Sequence, residues 1–133
     1  MNRLHGTIKT IQHAGTINRV VADCSGVPLS CVTLDLAEDF KEGGEVAVVF
    51  KETEVALARI GSAVISISNM LECSVVSVEE GVILSEVSLE FKGNRFASII
   101  TTDSLKRLNI ATGDVVTAMI KANEVSLERV GHD

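Results

Sequence analysis

Short segments in which apolar and polar residues alternate make up most of the chain, and Val, Ile and Thr are frequent in them. Because successive side chains of a strand point to opposite faces, this alternation predicts strands with one buried face. In the second half of the chain the predicted strands are 70–79, 82–91, 95–101, 115–121 and 124–130. In the first half they are 3–12, 17–24, 29–34, 45–51 and 54–60.

The segment 103–108 is the one good helical stretch, one to two turns long. Thr101 or Thr102 is a suitable N-cap, and Asn109 or the turn at Gly113 is a suitable end. Five short strands with a small helix between the third and the fourth are typical of an OB-like barrel. The first half is three residues shorter at this point, which predicts that its helix is shortened or lost.

The two halves repeat each other. Asn2 aligns with Asn69 and Lys51 with Lys121, and the segments 54–61 and 124–131 are identical at five of eight positions. The repetition predicts two copies of one fold: a first repeat over 1–61, an extended linker over 62–68 and a second repeat over 69–133. The linker has no Pro, so the two barrels are expected to pack closely. The predicted fold class is all-β with one short helix, a tandem pair of five-stranded OB-like barrels.

Composition limits the classes of function and the location. The net charge of −6 and the absence of Trp and Tyr argue against a nucleic-acid partner, which needs a basic surface and stacking aromatics. No apolar run approaches the roughly 20 residues of a membrane span, and the N-terminus lacks the apolar region of a signal peptide. Three cysteines without a CxxC pair suggest reduced, packed thiols. The expected location is the cytoplasm, away from a membrane.

Catalytic and metal-binding patterns are missing from the sequence. His5, His13 and His132 have no Cys or carboxylate at metal-ligand spacing, so ordinary solvated histidines are expected. No nucleophile stands in a recognisable pattern with a base, and no glycine-rich phosphate loop occurs. The chain is therefore expected to bind a ligand and not to be an enzyme.

Two sets of residues could bind an anion. Lys51 and Lys121 recur at the ends of the fourth strands, although a solvated lysine retained by a shared turn geometry would explain them as well. The second set is rich in hydroxyl groups and comprises Ser66, Ser68, Asn69, Thr101, Thr102 and Ser104. Helix capping and loop preference would also explain these residues. A lysine with several neutral donors would suit a tetrahedral oxyanion, but the carboxylate of Asp103 would repel it unless it points away.

Three segments resemble the Mop domain, the molbindin or TOBE-type family that includes the C-terminal half of the ModE molybdate sensor. They are 66–71 (SISNML), 99–104 (IITTDS) and 113–122 (GDVVTAMIKA). The resemblance covers the second repeat and, more faintly, the first. It implies molybdate or tungstate as the bound ligand, held at interfaces between Mop domains of a homo-oligomer, with a trimer favoured over a dimer.

The resemblance also implies which residues hold the oxyanion. Carried over by position, the ligands are Ser66, Lys121, Thr101 and Ser104, and the predicted set extends to their neighbours Ser68, Asn69 and Ala122. Ser68 stands where the family has Arg, which removes a charged bidentate donor. The first repeat has Leu34 and Ala37 in place of the hydroxyls and lacks the serine segment. Sites are therefore expected mainly in the second repeat, with Lys51 marking a degenerate site.

The predicted function is intracellular molybdenum storage, homeostasis or sensing. One alternative is a regulatory module that acts through a transporter or repressor on another chain, since this sequence contains neither an ATPase nor a helix-turn-helix. A second, less favoured alternative is an OB-type module that binds nucleic acid.

Overall fold

A computed structural model describes residues 1–59 and 64–130. Strands dominate it, and the predicted all-β class with one short helix is confirmed. The strands of the first repeat are β1 (Asn2–Ala14), β2 (Ile17–Cys24), β3 (Val27–Thr33), β4 (Glu45–Phe50) and β5 (Ala56–Ala58). Those of the second are β6 (Asn69–Glu80), β7 (Leu84–Phe91), β8 (Asn94–Thr101), β9 (Val115–Ile120) and β10 (Ser126–Glu128). The helix is α1 (Thr102–Leu108), and 3-10 turns occupy Glu52–Glu54 and Ala122–Glu124.

The two five-stranded sheets exchange their fifth strands. The first sheet has the order β10-β4-β1-β2-β3, and the second has the order β5-β9-β6-β7-β8. Leu127 of β10 lies opposite Val48 of β4, and Leu57 of β5 lies opposite Ala118 of β9. The expected close packing of the repeats is confirmed in a stronger form, because each sheet is completed by the other repeat. The repeat boundaries at residues 61 and 69 remain a prediction about the sequence. Each sheet contains strands from both sides of these boundaries.

Both long first strands carry a bulge at the same place in the repeat. The register of β1 against β2 shifts between Ile8 and Thr10, and that of β6 against β7 shifts between Val75 and Ser77. A bulge adds one residue to one strand and increases its bend and twist. The shared bulges therefore let each sheet curl around its buried face, as an OB-like barrel requires.

The helix and the strand ends follow local signals. Thr101 caps α1 by accepting a hydrogen bond from the Ser104 amide, and Asn109 ends it in a left-handed conformation with φ of 53°. Residues 34–44 of the first repeat contain no helix, as its shorter sequence predicts. Three strands begin two residues later than expected, and the first of them is β5, which follows the 3-10 turn at 52–54. Residues 82–83 belong to a turn before β7, and the 3-10 turn at 122–124 delays β10 until Ser126.

A single apolar core runs through both repeats. Phe50 of β4 meets Phe96 of β8 edge to face, with 5.6 Å between the ring centroids. Such a pair contributes about 0.5–1.5 kcal/mol beyond its buried area. The three cysteines are free and buried in this core. Burial raises the pKa of the Cys24 and Cys31 thiols to about 11 and that of the Cys73 thiol to about 12. They are therefore packed thiols with little thiolate at neutral pH.

Two asparagines hold the repeats together at equivalent positions. Asn69 Nδ2 donates to the Ser30 carbonyl at 2.9 Å, and its Oδ1 accepts from the Ser30 amide at 2.7 Å. Asn2 makes the same pair of bonds with the backbone of Ala97, at 2.8 and 3.0 Å. Each side chain thus continues the outer edge of the opposite repeat's third strand, where backbone groups would otherwise lack a partner.

Replacing Asn69 with Ala is expected to lower the free energy of unfolding by about 2–4 kcal/mol, because two backbone groups of Ser30 lose their partner in a buried place. The check is urea denaturation followed by far-ultraviolet circular dichroism. Asn123→Ala is the matched control, since Asn123 is exposed, and we expect a change within about 0.5 kcal/mol. Equal stability of the two variants would contradict the structural role of Asn69.

The predicted linker lies partly outside the described residues, at Ser62 and Ala63. Residues 64–68 lead into β6 without regular secondary structure. Among the described residues, no helix has the length and apolar character to cross a membrane.

Candidate oxyanion site

Lys121, the predicted cationic ligand, lies at one end of the second sheet. Asn69 pairs with Ile120 across the β6–β9 ladder, so Ser68 and Lys121, the next residues outward on the two strands, lie at the same end. Ser66, Ser68 and Lys121 are exposed, and Ala122 begins the 3-10 turn that follows Lys121. This end of the sheet therefore combines one ammonium group with two hydroxyls, all open to solvent.

The predicted hydroxyl pair lies where β8 enters α1. Thr101 Oγ1 accepts from the Ser104 amide at 3.1 Å and donates to Ser104 Oγ at 2.8 Å. Thr102 is turned the other way: it is buried, donates to the Gly81 carbonyl at 2.9 Å and lies 2.7 Å from Ser85 Oγ. The exposed hydroxyls of this turn are therefore those of Thr101 and Ser104.

These two groups occupy opposite ends of the same sheet. Thr101 pairs with Leu84, beside the turn that follows Glu80, whereas Asn69 begins β6 at the other end. With 12 residues in β6 and a rise of about 3.3 Å per residue, the ends are up to about 35 Å apart. Among the described residues, no hydrogen bond or ion pair joins Lys121 to Thr101 or Ser104 of its own repeat.

A carboxylate of the first repeat borders the hydroxyl pair. Thr101 and Ser104 share a shallow groove with Thr53, Glu54 and Leu84, so a segment of the first repeat borders them. Lys51 precedes this segment as the N-cap of the 3-10 turn and is exposed. The Glu54 carboxylate would repel a dianion bound at the hydroxyls, so positive charge at the site would have to offset it.

The equivalent surface of the first repeat lacks the hydroxyls. The matching groove is lined by Ile17, Val32, Thr33, Leu34, Asp35 and Asn123. Leu34 is 66% exposed in the position that Thr101 has in the second repeat. An apolar side chain at this place offers no donor to an oxyanion.

The side chain of Asn69, like that of Thr102, is buried. It is 1% exposed, and both of its polar atoms bind the Ser30 backbone. The structure gives it an architectural role at the start of β6, directly next to Ser68.

Arg107 joins the hydroxyl pair, and the sequence interpretation missed it. Its Nη2 donates to Ser104 Oγ at 3.1 Å, and its Nη1 donates to Asp103 Oδ2 at 2.9 Å. The spacing of three and four residues on a predicted helix was the signal that could have found it. The Asp103 carboxylate, which would repel an anion, is thus paired with a guanidinium.

Arg59 and Arg129 occupy equivalent positions in the segments 54–61 and 124–131. Their hydrogen bonds stabilise the positions of the exchanged strands. Arg59 follows β5 and donates to the carbonyls of Leu108 and Asn109 at 2.9 and 2.6 Å. Arg129 follows β10 and donates from Nη2 to Asp39 Oδ1 at 2.9 Å. Each arginine therefore holds the opposite repeat, and the Arg129 hydrogen bonds hold the pKa of the Asp39 carboxyl below its usual range.

Metal-ion chemistry finds no support in the described part of the chain. Residues 1–59 and 64–130 contain no group of three or more His, Cys, Asp and Glu side chains placed to hold a metal ion. His13 Nδ1 is hydrogen bonded to Asn18 Oδ1, and His132 lies outside the described residues.

Comparison with known proteins finds one family match in each of the two repeats. The model of the TOBE domain matches residues 1–57 and 65–127. Molybdenum-pterin-binding protein 1 of Clostridium pasteurianum is 42% identical over 64 residues, which are 47% of this chain and 94% of that protein. The molybdenum transport protein ModE of Azotobacter vinelandii is 28% identical over 116 residues, 85% of this chain and 43% of that protein.

Among solved structures, the chain is similar to the cytoplasmic molybdate-binding protein ModG, crystallised with molybdate bound. The TM-score is 0.85 and the identity 27%, with 95% of this chain and 94% of ModG covered. The resemblance to tandem Mop domains is thereby confirmed over the whole length of the fold. With two matches to the family model that together cover most of its residues, this chain belongs to the TOBE domain family and carries two copies of the domain.

Proposed function

We propose that this chain binds molybdate or tungstate at interfaces between Mop domains of neighbouring chains, for cytoplasmic molybdenum storage, homeostasis or sensing. The observation that carries the proposal is that Ser68 and Lys121 lie at one end of the second sheet and Thr101 lies at the other. The similarity to molybdate-bound ModG supports the ligand. The oxyanion is held and released unchanged, so the proposed function includes no catalysis.

Each complete site in this proposal has two halves. Ser66, Ser68 and Lys121 come from one chain, and Thr101 and Ser104 come from the next. Lys121 supplies positive charge against the global charge of −6, and the hydroxyls supply neutral donors. A dianion loses much hydration on burial, and each charge-assisted hydrogen bond returns about 1.5–3 kcal/mol, so several donors must converge. Asn69 and Ala122 position Ser68 and Lys121.

The proposed assembly is a homo-oligomer, with a trimer favoured over a dimer. When one surface of a chain binds a different surface of the next, the contacts close into a ring if the rotation between chains allows it. The opposite placement of the two halves supports a contact of this kind, in which one end of the sheet binds the other end in the next chain. The first repeat would contribute a degenerate half at Lys51, because Leu34 and Ala37 replace the hydroxyls.

The second candidate is a regulatory module that acts through a transporter or repressor. The similarity to ModE over 85% of this chain supports it. Molybdate-dependent binding to such a purified partner would favour this role over storage. The net charge of −6 disfavours nucleic acid as the direct partner.

Isothermal titration calorimetry with molybdate, tungstate and sulfate tests the ligand, and light scattering during size exclusion tests the assembly. We expect tight binding of the first two anions, little heat with the smaller sulfate, and a mass that is a multiple of 14.2 kDa. No heat with any anion would disprove the oxyanion function. A monomer that binds molybdate with full affinity would disprove the interface site.

A further inference from the structure

We propose that Arg107 supplies the guanidinium that the family motif places at position 68, and that it binds the oxyanion beside Ser104. This inference rests on the proposed function. Arg107 lies outside the three segments that resemble the Mop domain, so the resemblance does not assign it a role. The donors in this proposal are side-chain groups, the Arg107 guanidinium and the Ser104 hydroxyl. Arg107 is two-thirds exposed, so its unused donors are open to an anion.

The hydrogen bonds of Ser104 show what its hydroxyl can do. Ser104 Oγ accepts from Thr101 Oγ1 at 2.8 Å and from Arg107 Nη2 at 3.1 Å. Both lone pairs are then used, and none of the described side chains accepts the Ser104 hydroxyl proton. That proton is left for an external acceptor. Two incoming bonds, one from a cation, also polarise the O–H group and strengthen it as a donor.

The guanidinium has donors to spare. Arg carries five N–H groups in a planar fork that matches oxyanions with two parallel hydrogen bonds. Two of the five point to Ser104 and Asp103, which leaves three. An anion that accepts from Ser104 would lie next to this fork, so one ligand could bridge the hydroxyl and the guanidinium.

Asp103 acts as a competitor for the guanidinium. Its side chain is 88% exposed, and an ion pair this exposed to solvent is weak. A dianion carries twice the charge of a carboxylate and can displace it from the fork. Without Arg107, the Asp103 carboxylate would stand unpaired beside the anion and repel it.

Titration of the full-length protein with sodium molybdate tests the inference. Arg107→Gln is expected to weaken binding about 10- to 100-fold, the effect of losing a charge-assisted hydrogen bond and one charge. Lys106→Gln is the matched control. It removes the same charge from the next residue of α1, where the ammonium lies 4.0 Å from Glu80, and we expect a change below about threefold.

A second variant separates ligation from a structural role. Ser68→Arg in the Arg107→Gln background returns a guanidinium to the family position and should restore at least half of the lost affinity on a logarithmic scale. Asp103→Asn alone should strengthen binding. Circular dichroism confirms that each variant is folded. If the unmodified protein binds molybdate and the Arg107→Gln and Lys106→Gln proteins bind it with equal affinity, the role of Arg107 is overturned but the proposed function is not. Absence of binding by the unmodified protein would overturn the proposed function itself.

Discussion

Replacement of Lys121 with Gln is expected to weaken molybdate binding by about 100-fold or more, because a buried dianion loses its charged partner and a charge-assisted hydrogen bond together. Lys121 lies with Ser66 and Ser68 at one end of the second sheet. Gln keeps a hydrogen-bond donor on a side chain one bond shorter, but not the charge. Calorimetric titration with molybdate measures the effect directly.

Lys51→Gln is the matched control for this prediction. Lys51 aligns with Lys121, is exposed and precedes an equivalent 3-10 turn, but the first repeat has Leu34 and Ala37 in place of the hydroxyl pair. We expect an affinity within about threefold of the unmodified protein for this variant. A larger loss from Lys51→Gln than from Lys121→Gln would place the site in the first repeat and contradict the proposed half-sites.

Ending the chain after Val125 is expected to destabilise the first sheet, although the deleted residues belong to the second repeat. The deletion removes β10, which pairs with β4, and Arg129, which binds Asp39. The edge of β4 then loses its partner, and its amide groups open to solvent. We expect amide hydrogen exchange in Glu45–Phe50 to accelerate by about 100-fold or more, equivalent to about 3 kcal/mol.

A reciprocal variant makes the exchange of strands testable in both directions. Leu57 of β5 packs in the core and pairs on β9, so Leu57→Ala should accelerate exchange in Val115–Ile120, with a loss of about 2–3 kcal/mol. Faster exchange of β9 after the deletion at Val125, with β4 still protected, would mean that each repeat keeps its own fifth strand. The comparison is internal, since both segments are measured in the same protein.

The exchange of strands changes how the two repeats depend on each other. Beyond β5 and β10, the Ser98 hydroxyl donates to the Val55 carbonyl at 2.7 Å, and the Cys31 thiol donates to the Val125 carbonyl at 3.0 Å. These bonds, like those of Asn2 and Asn69, relate equivalent positions in opposite repeats. A repeat expressed alone would lack the other repeat's fifth strand, which completes its sheet, and the backbone partner for its asparagine.

Much of the fold was determined by local sequence. The alternating apolar positions indicated the strands, Thr101 and Asn109 marked the ends of α1, and the three missing residues explained the lost helix of the first repeat. These features depend on nearest neighbours along the chain and on which face is buried. The motifs around Lys121 and Thr101 in the second repeat identified the family by the same local information.

Only the tertiary structure decided which sheet each fifth strand joins and where the residues of the proposed half-sites lie. The segments 54–61 and 124–131 are nearly alike, and β4 and β9 offer equivalent edges, so either pairing satisfies the same pattern. The choice depends on the path of the chain after each 3-10 turn and on long-range contacts such as those of Arg59 and Arg129. The hydrogen bonds of Asn69 to Ser30 and the positions of Lys121 and Thr101 follow from that global arrangement, because they depend on residues that are distant in sequence.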